Sequence, residues 1–110
     1  MITAGLCGAL GVALSAAAAH RADLPNIGTA ANMLLFHAPA FLGLSLATGN
    51  KIRTATGYVL LAGLALFAGD LLARAYIGTR LFPMAAPTGG ILLIAGWLGI
   101  AASAFADKKT

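Results

Sequence analysis

Four side chains combine a chemistry-capable type with an apolar or helix-end setting: His20, His37, Asp70 and Arg74. Asp70 lies inside TATGYVLLAGLALFAGDLLARAY, with Arg74 one helical turn later. A carboxylate at depth in lipid costs about 2.5–3.5 kcal/mol on insertion scales unless it is paired or hydrated. The chain therefore needs a reason to keep it. At i and i+4 the two side chains face the same way, acid before base, which is the better order on a helix. One reading is an ion pair that neutralises the acid and sets helix register. The other is a proton or cation site, because intramembrane carboxylates mark ion pathways. The neutralising Arg74 and the lack of a second intramembrane acid favour the first. For His37 the expected state is a neutral ring donating to a carbonyl. Two histidines at different depths, with no third ligand close in sequence, make a poor metal or haem site. No metal or cofactor is expected.

The elements that must position these groups are apolar segments. The chain has 110 residues, 60% of them hydrophobic and 9% charged. Soluble domains carry roughly a quarter charged residues, so this composition points to one membrane domain. Four spans are expected, at about 2–20, 27–47, 55–75 and 87–106. Each is near the ~20 residues a helix needs to cross ~30 Å of hydrocarbon. Open sheets cannot span lipid, so the expected fold is an all-α integral membrane protein, an antiparallel four-helix transmembrane bundle. The first segment ends in a stretch like Ala-x-Ala, but no Lys or Arg precedes it, so it reads as a retained span rather than a signal peptide. Pro39 lies inside the second span and is expected to kink it just after His37. Pro83 and Pro87 bracket a stretch placed to dip partway into the membrane.

The net charge of +4 comes from seven Lys and Arg against Asp23, Asp70 and Asp107. The basic residues sit at segment ends, as headgroup anchors do, and no basic run interleaves with aromatics, so no nucleic-acid partner is expected. Lys51, Arg53, Lys108 and Lys109 fall on one side, and Arg21, Arg74 and Arg80 on the other. That balance favours both termini in the cytoplasm of a bacterial inner membrane. Cys7, the one cysteine, has no partner for a disulfide and reads as a small buried side chain. Ser15, Ser45 and Ser103 lie in apolar spans without a local base, so no catalytic residue is assigned.

Small residues recur at four-residue spacing: Gly11, Ser15 and Ala19 in the first span, which also carries Gly5 and Gly8; Ala65, Gly69 and Ala73 in the third; and Ala95, Gly99 and Ser103 in the fourth. Such residues let helix backbones approach in lipid. The first span carries them on nearly every face, which would place it centrally. One of these stripes is an alternative seam for a homo-oligomer. Depth arithmetic at 1.5 Å per residue puts Asp70 ~7 Å and His37 ~15 Å below the outer surface. His20, His37, Asp70, Arg74 and Thr88, with Gly89 and Gly90, are therefore expected to converge in a polar cluster in the outer half. Asp70 is expected to reach a polar group from the second or fourth helix.

Four stretches, GALGVALSAAAAH at 8–20, LFHAPAFLGL at 35–44, LFAGDLLARAY at 66–76 and PMAAPTGGILLIAGW at 83–97, follow in an order that resembles a known family. It is the small bacterial membrane family catalogued as domain of unknown function 423, to which the eukaryotic transmembrane protein 256 group looks related. The resemblance rests on the His closing the first span, the Phe-His-Ala of the second, and the Pro-x-Gly-Gly with a later Gly-Trp in the fourth. Leu34 stands where the family usually has Gln, and Ala68-Gly69-Asp70 where it often has a Ser-Gly-Ser-like stretch. The resemblance implies a four-helix membrane protein without an established activity. A non-enzymatic interaction or accessory role is the expected function, with lipid, further copies of the chain or a larger membrane complex as partners. A minimal proton- or cation-coupled transporter, oligomeric and using Asp70, is the alternative.

Overall fold

Each connection between helices is built by a residue suited to stopping or starting a helix. In the computed structural model, which describes residues 1–47 and 50–107 (only backbone at 106 and 107), α1 covers Ile2–His20 and α2 Pro25–Leu46. The third and fourth helices are α3, Lys51–Tyr76, and α4, Ala85–Asp107. Lys108 and Lys109, counted in the orientation argument, and Thr48 and Gly49 in the α2–α3 connection lie outside the described residues. All four helices are long and apolar enough to cross a membrane.

Pro25 opens α2 at a position where a missing N–H loses no helical bond. Asn50 caps α3: its Oδ1 accepts from the N–H groups of Ile52 at 2.9 Å and Arg53 at 3.3 Å. The cap explains why α3 starts at Lys51 although the apolar run begins near Ala55. At the other end of α3, Ala73 O accepts from both Ile77 and Gly78, and Gly78 turns the chain at φ 88. Met84 holds φ 71, a left-handed conformation costing a side-chain-bearing residue about 1 kcal/mol. There its carbonyl accepts the Thr88 N–H at 2.9 Å and starts α4. Pro87 falls in the first turn of α4, where its missing N–H is harmless.

Glycines set the helix spacing. A Cβ on Gly11 would sit 2.7 Å from Leu35, while Gly8 faces Ala38 and Gly28 faces Ala18 at ordinary distance. These pairs run in opposite order along α1 and α2, so the two helices are antiparallel. The α3–α4 seam is tighter. A Cβ on Gly63 would lie 2.9 Å from Gly89 O, and one on Gly89 2.6 Å from Phe67 N. Gly96 abuts Leu60 and Gly99 abuts Thr56 in the same way. This seam also runs antiparallel. Close backbone approach supplies the van der Waals contact that drives helix association in lipid.

Each helix packs on its neighbour in sequence: α1 on α2, α2 on α3, α3 on α4. Among the described residues no other helix pair makes close backbone contact. The bundle is accordingly a flattened slab, 52 × 28 × 17 Å. The expected central position of the first helix is thus corrected: α1 lies at the edge and is the least buried of the four, while α3 is the most buried. Small residues all round a helix permit close packing on any face but do not create neighbours. The core gathers Phe41, Leu60, Leu64, Leu71 and Leu93, with Cys7 and Ala30. Ile2, Leu6, Leu10, Val12, Phe36, Ile91, Ile94 and Leu98 point outward, an apolar surface suited to lipid.

The expected packing residues divide by face. Gly11, Ala73 and Ser103 are buried, and Gly69 meets Leu81. Ser15 and Gly8 are half-buried. Ala65 and Ala95 are exposed, so the expectation that they pack inside the bundle is corrected. At 100° per residue, Ala65 is on the far side of α3 from Gly63, and Ala95 is rotated away from Gly96. Spacing in sequence marks a stripe without saying which stripe meets a neighbour.

Candidate functional site

Asp70 is completely buried, at 0% exposure. Its Oδ1 accepts the Leu81 N–H at 2.9 Å, and its Oδ2 lies 2.8 Å from Arg74 Nη2. The Arg74 contact is the expected i,i+4 pair, close as an ion pair yet not aligned as a hydrogen bond. Asp70 Oδ2 and Arg74 Nε both remain without a hydrogen-bond partner. The second contact differs from the expectation of a polar group on the second or fourth helix. It is a backbone amide of the α3–α4 connection, eleven positions along the chain. A backbone N–H in the connection past a helix end has no helical acceptor of its own, and a carboxylate oxygen nearly two turns before that end can serve it when the chain folds back. Asp70 thereby ties residues 77–84 to α3.

His37 is nearly buried, at 4% exposure, in the middle of α2. Trp97 on α4 donates its indole N–H to His37 Nε2 at 3.2 Å, and His37 Nδ1 lies 2.7 Å from Met33 O. An indole can only donate and a carbonyl can only accept. The ring is therefore neutral, with its proton on Nδ1 and its lone pair on Nε2. The two rings sit 5.7 Å apart, tilted at 54°. Both ring nitrogens are engaged, so a metal would have to displace one of these bonds. Among the described residues no three of His, Cys, Asp and Glu gather into a group that could hold a metal ion.

The expected polar cluster is thus divided. Among the described residues no hydrogen bond or ion pair joins the His37–Trp97 pair to Asp70–Arg74. The register of the α3–α4 seam supplies the reason. Gly96 packs against Leu60, ten residues before Asp70 and so about 15 Å away along α3. His20 is exposed at the end of α1, and Thr88 is exposed in the first turn of α4. Each polar centre finds its partners at its own position along the bundle, with Asp70 Oδ2 and Arg74 Nε left outside any hydrogen bond. Trp97 and the Leu81 amide were absent from the expected site. A lone indole donor and a lone histidine acceptor in apolar helices were the available signal for the first, since buried Trp N–H groups find acceptors. Nothing local could have indicated the second.

A third polar contact holds the opposite end of the α3–α4 seam. Asn50, besides capping α3, donates from Nδ2 to Ser103 O at 3.1 Å. Outside the spans, Arg21 donates twice to Asp23 at 3.2 Å. These bonds hold the Asp23 carboxyl below its ordinary value and raise Arg21.

The family described as Protein of unknown function (DUF423) matches residues 7–90. A UPF0382 membrane protein of Haemophilus influenzae is 32% identical over 94% of this chain and 91% of its own length. The UPF0382 inner membrane protein YgdD of Escherichia coli K12 is also 32% identical, over 88% of this chain and 82% of its own. No solved structure matches the chain. His37 and Trp97, two residues on which the sequence resemblance rests, bond to each other in the structure. With the match extending over most of its length, the chain belongs to the DUF423 family of membrane proteins, a family of unknown function.

Proposed function

We propose that this protein is a non-catalytic accessory or interaction protein of the bacterial inner membrane, with both termini in the cytoplasm. The observation carrying this reading is the internal closure of Asp70. It is fully buried, and its contacts are Arg74 of its own helix and the Leu81 amide of its own chain. A transport carboxylate needs a wet path and freedom to exchange partners. The clefts lined by Met1, by Lys51 and by Tyr58 include neither Asp70, Arg74 nor His37. What remains for function is the outer surface, which is apolar along α1 and α4. A surface of that kind suits lipid, a further copy of the chain, or a larger membrane complex.

Purification in mild detergent, with the mass of the particle and the proteins that accompany it, tests this reading. Reproducible recovery as an oligomer or with a defined membrane partner is expected. A proton or cation flux in proteoliposomes that Asp70→Asn abolishes while leaving the fold intact would replace it with transport. Reporter fusions at Asn50 and Thr110 are both expected to signal cytoplasm. A periplasmic signal from either overturns the orientation.

A further inference from the structure

The connection between α3 and α4 folds back along the bundle instead of crossing its end. The Leu81 N–H donates to Asp70 at 2.9 Å, and a Cβ on Gly69 would lie 3.4 Å from Leu81 Cδ1. Leu81 is therefore level with Asp70, six residues or about 9 Å before the end of α3 at Tyr76. The α3–α4 seam gives the same level. Gly99 meets Thr56, Gly96 meets Leu60, and Gly89 meets Gly63 and Phe67. Carried on, that register sets Ala85, the first residue of α4, beside Asp70 as well. The apolar span of α4, Ala85–Phe105, has 21 residues. At about 31 Å it matches the ~30 Å of hydrocarbon, so an α4 that fills the membrane has its boundary at Ala85.

Side chains and backbone of the connection both suit that boundary. Ile77, Leu81, Phe82 and Met84 expose apolar surface, from 45% at Phe82 to 75% at Ile77. Apolar surface gathered in this way marks a contact with membrane or protein. The N–H groups of Ile77 and Gly78 bond Ala73 O, that of Leu81 bonds Asp70, Pro83 has none, and Phe82 O accepts from Ala85. Backbone groups closed on the protein are tolerated at the edge of the hydrocarbon. Arg80, exposed beside Leu81, is the one charged residue between 77 and 84.

We propose that residues 77–84 form a lipid anchor: Leu81, Phe82 and Met84 enter the acyl chains of the leaflet at this end of the bundle, and Arg80 reaches the phosphates of the same leaflet. An arginine there keeps its charge among the headgroups while its stem lies along apolar surface. Interfacial segments bury their apolar face about 5–10 Å into the boundary of headgroups and acyl chains, and the Asp70–Leu81 bond holds this one at that depth. The placement holds for either orientation of the termini. A second copy or another protein would cover the same side chains but shut lipid away from them.

Spin labels on single cysteines, in a Cys7→Ala background, read the depth in vesicles of phosphatidylethanolamine and phosphatidylglycerol. Phe82→Cys and Met84→Cys carry the test. Ala22→Cys, exposed in the α1–α2 connection at the same end, is the aqueous reference, and Ile91→Cys, exposed on α4, is the hydrocarbon reference. Collisions with oxygen, which dissolves in lipid, are compared with those of a water-soluble nickel chelate. Labels at 82 and 84 are expected to meet nickel several-fold less than the label at 22, and oxygen nearly as much as the label at 91. Nickel access at 82 and 84 equal to that at 22 overturns the anchor. Exclusion of both reagents there means that protein covers the segment, and overturns lipid as its partner. Arg80→Glu should raise nickel access at 82, and no change overturns the phosphate contact. Cys7 is buried, so where Cys7→Ala does not fold the native thiol stays and its labelling is subtracted.

Discussion

Trp97 donates to His37 across 3.2 Å and so joins α4 to α2, two helices with no close backbone contact. Both helices pack on α3. The bond makes two sequence-distant side chains a strut between the outer members of a three-helix unit.

Trp97→Phe keeps an aromatic ring but removes the donor, leaving a buried Nε2 unpaired. The expected loss of stability is about 1–3 kcal/mol. The double variant with His37→Phe should lose less than the two single losses added together, because the unpaired acceptor goes with the histidine. Thermal denaturation in detergent measures the cycle. Nitrogen NMR of the native chain should find the His37 proton on Nδ1, and a proton on Nε2 would contradict the bond.

Arg74 is one-third exposed while Asp70 is fully buried, so the two halves of the pair are unequal. Arg74→Met strands a buried carboxylate and should cost about 3–5 kcal/mol. Asp70→Asn leaves Arg74 able to reach the interface and keeps an acceptor for the Leu81 N–H. It should cost clearly less than Arg74→Met. Asp70→Ala, which also releases Leu81, should free residues 77–84 and increase proteolysis there. Equal stability of the arginine and asparagine variants would contradict this ordering.

The α3–α4 seam has no room for a methyl group at Gly63, where a Cβ would lie 2.9 Å from backbone atoms of α4. Gly63→Ala should destabilise by about 1–3 kcal/mol through overpacking. Gly43 has nothing within 4 Å of a Cβ, so Gly43→Ala should be neutral or stabilising by up to about 1 kcal/mol through helix propensity. Parallel denaturation of both variants checks the contrast.

The Arg21 hydrogen bonds lower the Asp23 pKa in the folded chain. A depressed native value contributes stability above the unfolded Asp value, near ~3.9, and loses it as pH falls through the native value. The effect should be small because both partners are exposed and screened. Arg21→Gln should return Asp23 toward its ordinary titration, read by carboxyl-carbon NMR. An unchanged midpoint would remove Arg21 as the cause.

The local arithmetic of the chain was sufficient for four spans and for Asp70 and Arg74 sharing a helix face, while α2 starts at Pro25, two residues before the expected 27. Apolar length, proline stereochemistry and the helical repeat act within one segment, so one segment suffices to read them. Helix register is different. In lipid, apolar side chains are no more at home between helices than outside them, so backbone fit between distant segments chooses the contacts. That fit brings Gly63 against Gly89, turns Ala65 outward, and sets Trp97 about 15 Å from Asp70 along the bundle. It divides into two separate centres the polar residues that depth alone would gather, and it gives Asp70 a backbone amide beyond the end of its own helix. Tertiary structure decided those relations because each depends on which faces meet, and hydropathy is blind to that choice.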